Sequence, residues 1–248
     1  LTEVYTPIDA LIKLEKIKVW SLIVTLFGDL EQAGSQVLSG KQINNLLSHI
    51  GIKPEATRVA LHRLKNENWI VTSKSGRETF YQMSEKAKQE TSSVYSDVYG
   101  AQIKYPEGWR LVVLPDFENV EISCSVSVMK NILLVPKVHQ NVNKEVIQTE
   151  IKTENIPAWF ADKIIKPSTL EIASKLKIAA EMPTSKMTRY NQFVMRLLIL
   201  HYWRKLALRD SVWCYISLME DSALAHCQKS VSNFLKNTQN INPSLLTD

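Results

Sequence analysis

The chain has 248 residues, 45% hydrophobic and 22% charged, and a net charge of +5 from 30 Lys and Arg against 25 Asp and Glu. That composition fits a soluble globular protein of one or two domains with enough apolar material for substantial cores. No run of about 18 apolar residues occurs, which excludes a spanning helix. Cys124, Cys214 and Cys227 lie far apart with no CxxC pair, which leaves neither a disulfide framework nor a cysteine-based zinc site.

Glu3, Asp9 and Glu15 stand where a secretory leader would need a basic start and an apolar core, so a reducing bacterial cytoplasm is the expected location. Residues 17–30, IKVWSLIVTLFGDL, recur apolar at steps of three and four and predict a buried first helix ended by Gly28-Asp29. In SGKQINNLLSHIG, Ser39 and Gln42 have capping-box spacing, and Gly51 closes the second helix predicted over 39–49. Pro54 suits the first turn of a third helix, where its missing N–H would have no partner anyway. Only a three- or four-residue turn then separates helices two and three, the spacing of a helix-turn-helix.

In the third helix, EATRVALHRLKN, Thr57, Ala60, Leu61 and Leu64 form an inward stripe about 100° wide. The opposite arc collects Arg58, Val59, His62, Arg63 and Lys65, with Glu55 as its lone acid. One reading is an ordinary charged face with a stray valine, since single exposed apolar residues are common. The other is a recognition helix, whose cations take phosphates or guanine edges while Val59 touches a thymine methyl. The window 41–88 holds nine cations against four acids, a local basic patch suited to a polyanion.

Two β-prone runs follow, Trp69–Ser73 and Glu78–Met83, joined through Lys74, Ser75, Gly76 and Arg77, with Gly76 able to supply the positive φ of a hairpin turn. A basic hairpin alone is most simply a solubility feature. After three helices it completes the order of a winged helix-turn-helix, with Lys74 and Arg77 placed to reach phosphate or minor groove.

Ser84 caps a polar connector helix running to Gly100. Strands at 109–115 and 131–138, a helix candidate near 158–165 and a helix over 168–179 ahead of Pro183 predict a small α+β unit, while 140–156 carries no clear pattern. Two helices close the chain: a strongly apolar one over 189–210 and one over 221–237 capped by Asp221 or Ser222. They can pack on each other and on a second copy, and a polar tail follows from Thr238. The expected architecture is α+β in three units: a winged-helix DNA-binding unit with its connector (1–100), a small α+β unit (101–182) and a helical, dimerising unit (183–248).

His201 and Arg204 share a face of the long helix, with Arg196 one turn earlier and Arg209 at its end, beside Tyr202 and Trp203. The cluster is a candidate site for a phosphorylated ligand; the alternative is the ordinary attraction of cations to a helix C-terminus. His226 and Cys227 point about 100° apart on their helix and make a poor metal pair. GxSxG, HExxH and GxGxxG are absent, as is a P-loop, and only Asp116 and Glu118, after WRLVVLP, are placed for a metal-dependent nuclease. The expectation is therefore no enzyme, no metal and no cofactor.

SLIVTLFGD at 21–29, the SGKQINNLLSHIGI helix and turn, RVALHRL at 58–64, Trp69, SGR at 75–77, the Tyr81–Ser84 close and RLLILHYWRKLALRD at 196–210 resemble the PaaX family, bacterial repressors of phenylacetate catabolism and their relatives. The match covers the first 90 residues well, 190–237 moderately, and the middle in layout only, where the family has a ferredoxin-like domain. The resemblance implies a homodimer on a palindromic double-stranded DNA operator, released by an aryl-acyl-CoA thioester such as phenylacetyl-CoA or a related acyl-CoA. Arg58, Arg63 and Gly76-Arg77 match basic family positions and inherit the DNA-contact expectation. The family has a glycine before the tryptophan that opens the wing; this chain has Asn68, which enters the left-handed region less easily. The middle unit also lacks the family's aromatic and glycine-rich stretch. A rival of another class is a winged helix used for protein interaction, with Val59 and Trp69 in the partner interface.

Overall fold

The computed structural model describes residues 7–34, 37–115, 122, 124–138, 146–185 and 187–238. A short helix α1 (Pro7–Ile12) precedes α2 (Val19–Gln32), in which residues 21–27 are all buried. Strand β1 (Leu38–Ser39) leads into α3 (Gly40–His49), then α4 (Pro54–Asn66) and the hairpin β2 (Ile70–Ser75) and β3 (Glu78–Met83). Helices α5 (Glu85–Ser93) and α6 (Tyr95–Tyr99) connect to a second sheet of β4 (Trp109–Val113), β5 (Val126–Met129), β6 (Ile132–Pro136) and β7 (Ile147–Glu150). The remainder is helical: α7 (Ala158–Ile164), α8 (Pro167–Glu181), α9 (Arg189–Ala207), α10 (Asp210–Leu218) and α11 (Ala223–Asn237). The fold class is α+β, with both sheets antiparallel.

Local chemistry sets the ends of the α3–α4 pair. The Ser39 hydroxyl accepts from the Gln42 amide at 3.2 Å while the Gln42 side chain accepts from the Ser39 amide at 2.8 Å, completing the capping box. At the other end Gly51 adopts φ +80, and the amides of Gly51 and Ile52 donate back to the carbonyls of Ser48 and Leu47. This is a Schellman close, which requires a left-handed residue just past the helix. Helix α4 ends the same way without a glycine: Asn68 sits at φ +57, its amide donates to Lys65 and the Trp69 amide to Leu64. The chain thereby turns out of α4 and enters β2 at Ile70, immediately after Trp69.

The first sheet runs β1-β3-β2. Ser75 pairs with Glu78, so β2 extends two residues past its β-prone run while β3 matches its own, and Gly76-Arg77 is left as a two-residue turn, with Gly76 at φ +58. Lys74 thereby lies within β2, opposite Thr79. The second sheet runs β5-β6-β4-β7, with α7 and α10 packed on β5.

Three boundaries differ from expectation. The connector breaks at Val94 into α5 and α6. The helix expected over 189–210 ends at Ala207, because Arg209 is extended and the Trp213 indole donates to the Ala207 carbonyl at 2.6 Å, capping it. The first helix covers 19–32 rather than 17–30, with α1 separate before it.

One buried cluster runs from α2 through Leu46, Leu61 and Leu64 to Trp109, Leu176, Trp203 and Trp213. It continues across residues 100 and 182, the expected unit boundaries. A smaller cluster, Val112, Leu114, Leu133 and Val135, lies apart from it. Inside the main cluster is an ion pair: Arg196 donates from Nε to Asp29 Oδ2 and from Nη2 to Asp29 Oδ1, both at 2.7 Å, with the side chains 6% and 7% exposed. Nη1 of Arg196 donates to the Leu235 carbonyl at 2.6 Å, and the Tyr99 hydroxyl to Asp29 Oδ1 at 3.0 Å. The pair ties α2 to α9, α11 and α6. Of the 19 residues of α9, 13 are buried within the single chain.

Two stability outcomes follow, each read from urea unfolding. Asn68→Gly should leave the midpoint unchanged or raise it, whereas Asn68→Ala should cost about 1 kcal/mol, because alanine has no local hydrogen bond to offset a left-handed backbone. Asp29→Ala should cost about 3–5 kcal/mol by leaving Arg196 buried without its carboxylate, and Asp29→Leu with Arg196→Met should recover a large part of that loss.

Candidate nucleic-acid interface

Helix α4 buries Thr57, Ala60, Leu61 and Leu64 and exposes Glu55, Arg58, Val59, His62, Arg63 and Lys65, so the arc read from the sequence is the outward face. Val59 is 69% exposed in the middle of it. Among the described residues Arg58, Lys65, Lys74 and Arg77 are exposed, and their side chains make no hydrogen bond or ion pair within the chain. Lys41 and Lys53, at the starts of α3 and α4, are equally free.

The other arc members are held. Arg63 Nε donates to Glu67 Oε1 at 2.7 Å, and its guanidinium lies 5.0 Å from the centre of the Trp20 ring. His62 Nδ1 and Asn66 Nδ2 are 3.3 Å apart, one helical turn along the same face. Lys86 and Lys88, counted in the basic window, pair with Glu90 and with Glu31 and Glu85. The uncompensated charge therefore contracts onto α4, its approach and the hairpin. Asn66 is an exposed amide beside His62 that the sequence reading passed over; its place on the outward arc was available from helical periodicity alone.

The three cations proposed for a phosphorylated ligand do not converge. His201 is 1% exposed, and its Nδ1 lies 3.4 Å from Thr25 Oγ1. Arg204 turns to the same part of α2, donating from Nε to Thr25 Oγ1 at 3.1 Å and from Nη2 to the Ser21 hydroxyl at 2.7 Å and carbonyl at 3.1 Å. Arg209 is exposed at the α9–α10 break and shares no partner with them. His226 Nε2 lies 3.1 Å from Asp221, while burial pushes the neighbouring Cys227 thiol up to about 12. Among the described residues no three His, Cys, Asp or Glu side chains gather as a metal site; Asp116 and Glu118 lie outside those residues. No described helix is long and apolar enough to cross a membrane.

Burial first, then the charges of Arg204 and Lys205, push His201 down to about 3. Unfolded, the imidazole titrates near 6.5. The unfolded state therefore binds the extra proton first, and the contribution of His201 is complete above about pH 6.5 and is lost as pH falls toward about 3. Between about pH 6.5 and pH 4.5, stability should fall by up to roughly 1.4 kcal/mol per pH unit from this group, and urea midpoints of His201→Gln should have a correspondingly flatter slope.

Residues 18–87, from the start of α2 into α5, match the family described as PaaX-like protein. The chain is 25% identical to the transcriptional repressor PaaX of Escherichia coli (strain K12), over 77% of this chain and 71% of that protein. Among solved structures, the uncharacterized protein Rv0674 from Mycobacterium tuberculosis aligns with a TM-score of 0.43 at 14% identity, covering 86% of this chain and 97% of that one.

Proposed function

We infer that this PaaX-like chain is a transcriptional regulator that reads double-stranded DNA through a winged helix-turn-helix built from α2, α3, α4 and the β2–β3 hairpin. The observation that carries the reading is the outward arc of α4: Arg58 and Lys65 uncommitted, and Val59 69% exposed between cations. A solvated helix face gains nothing from a valine there, whereas a major-groove face uses a small apolar group against thymine methyls. In this reading α4 lies in the major groove, with Arg58 on a guanine edge. Lys65 meets a phosphate, and Lys74 and Arg77 hold the backbone from the hairpin. Arg63, held by Glu67 and Trp20, acts from a fixed position at the far end of α4, and His62 with Asn66 completes the reading face.

The proposal includes repression by a homodimer on a palindromic operator with half-sites about one or two helical turns apart. Because α9 is covered within the chain, the two-fold contact would use other surface. It also includes release by an acyl-CoA-type effector, for which exposed Arg209 is the cation best placed to meet a phosphate. The ferredoxin-like reading of the middle unit rests on the family's layout.

Fluorescence anisotropy on a duplex from upstream of the coding sequence, against a shuffled duplex across a salt series, tests the reading. Preference for the native duplex, with affinity falling steeply as salt rises, is expected. Arg58→Ala should cost about 1–3 kcal/mol on the operator and relax specificity, while Lys74→Ala should weaken both duplexes alike and reduce the salt slope by about one. Equal, weak binding to both duplexes would favour a protein-interaction module instead.

A further inference from the structure

A cleft of about 40 Å³, open to solvent on one side, lies between α2, the α5–α6 break and α9. Its walls are mostly apolar, with Val24, Gly28, Val94, Val98 and Leu200 around Arg204. Arg204 is half-buried, yet among the described residues no carboxylate pairs with it. Its three hydrogen bonds go to neutral oxygens of Ser21 and Thr25, and Nη1 has no acceptor. A buried guanidinium without a counterion is costly, and burial indeed lowers its affinity for the proton. The nearby Lys205 is paired with Glu15, and His201 is held neutral, so Arg204 is the uncompensated charge of this part of the fold.

Gly28 is the second observation. A glycine inside a helix is less stable than alanine there, and this one has ordinary φ. A Cβ at that position would meet only Thr91 Cγ2, at 3.7 Å. No steric conflict demands glycine; its effect is to leave the cleft open.

We propose that this cleft binds a small organic carboxylate, with the carboxylate on Arg204 and the hydrocarbon part between α2 and the α5–α6 break. The guanidinium fork supplies the paired donors that a carboxylate matches and that a neutral thioester carbonyl does not. The volume admits a headgroup and a few carbons, not a nucleotide. The site is independent of the DNA-reading proposal and stands or falls without it.

The test uses the full chain, thermal unfolding and calorimetric titration. The probes are sodium propionate, butyrate and benzoate, their primary amides as neutral counterparts, and sodium chloride at matched ionic strength. At least one acid should raise the melting midpoint saturably while its amide does not. Arg204→Lys should weaken that acid by about ten-fold. Because Arg204 also anchors α2, Gly28→Leu provides a second variant: it fills the cleft, should melt cooperatively no lower than the native chain, and should lose the saturable rise. The proposal is overturned if no acid gives a saturable rise at tens of millimolar, if amides act as well as acids, if Gly28→Leu still responds, or if the corresponding CoA thioester binds while the free acid does not.

Discussion

The Asp29–Arg196 pair is the constraint on which the arrangement of the molecule depends. Two parallel hydrogen bonds at 2.7 Å fix both the distance and the rotation of α9 against α2, which a purely apolar contact would leave freer. Every remaining donor and acceptor near it is engaged: Leu235 receives Nη1, and Tyr99 donates to the carboxylate. Burial and the Asp29 charge hold the Tyr99 phenol well above its usual range, so it remains a donor at any pH the fold survives. A desolvated pair of this kind contributes little net stability compared with apolar residues of the same volume. What it supplies is geometry: helices 167 residues apart in sequence meet in one register, and α6 and α11 are referred to the same point.

Helix α2 is then shared. One side receives α9, while the helix also packs on α4 and supplies Trp20 to the guanidinium of Arg63. The outward arc of α4 is therefore positioned by a helix whose own placement is set from the C-terminal part of the chain. The left-handed closes at Gly51 and Asn68 do the rest locally. The first turns the chain from α3 into α4, and the second turns it from α4 into β2, so the exposed arc and the basic hairpin belong to one rigid sequence of turns.

That division explains what was legible from sequence. The capping box, Gly51, Pro54, the inward stripe of α4 and the Gly76 turn are short-range signals, and each appears where its chemistry requires it. Strand β1 was not legible, because two residues carry no period and pair only with a distant strand, Leu38 with Tyr81 and Ser39 with Phe80. The C-terminal end of α9 and the break at Val94 were missed, the first because it depends on the Trp213 indole of the next helix. Charge was the least legible. Nine cations in a window say nothing about which are neutralised, and Lys86, Lys88 and Arg63 are. Arg204 has the opposite character: in sequence it is one more cation near a helix end, and in the fold it is half-buried with no carboxylate partner among the described residues.

Those two uncompensated regions, the α4–hairpin surface and Arg204, are both referred to α2, through Trp20 on Arg63 and through Ser21 and Thr25 on Arg204. Coupling between them would need α2 or the α5–α6 connector to have two arrangements that a ligand binds unequally, since a ligand of equal affinity for both shifts nothing. The fold supplies one element of suitable construction. Val94 interrupts the connector between two short helices, and both Val94 and Thr91 border the cleft. Beyond it, Ser84 caps α5 and donates to the Asn68 carbonyl at 2.6 Å. A shift of α5 is thereby felt first at the turn that joins α4 to the hairpin, while the Asp29–Arg196 pair keeps α2 itself in place. By linkage, if the proposed DNA contact favours one position of α5, a ligand that favours the same position gains the same free energy.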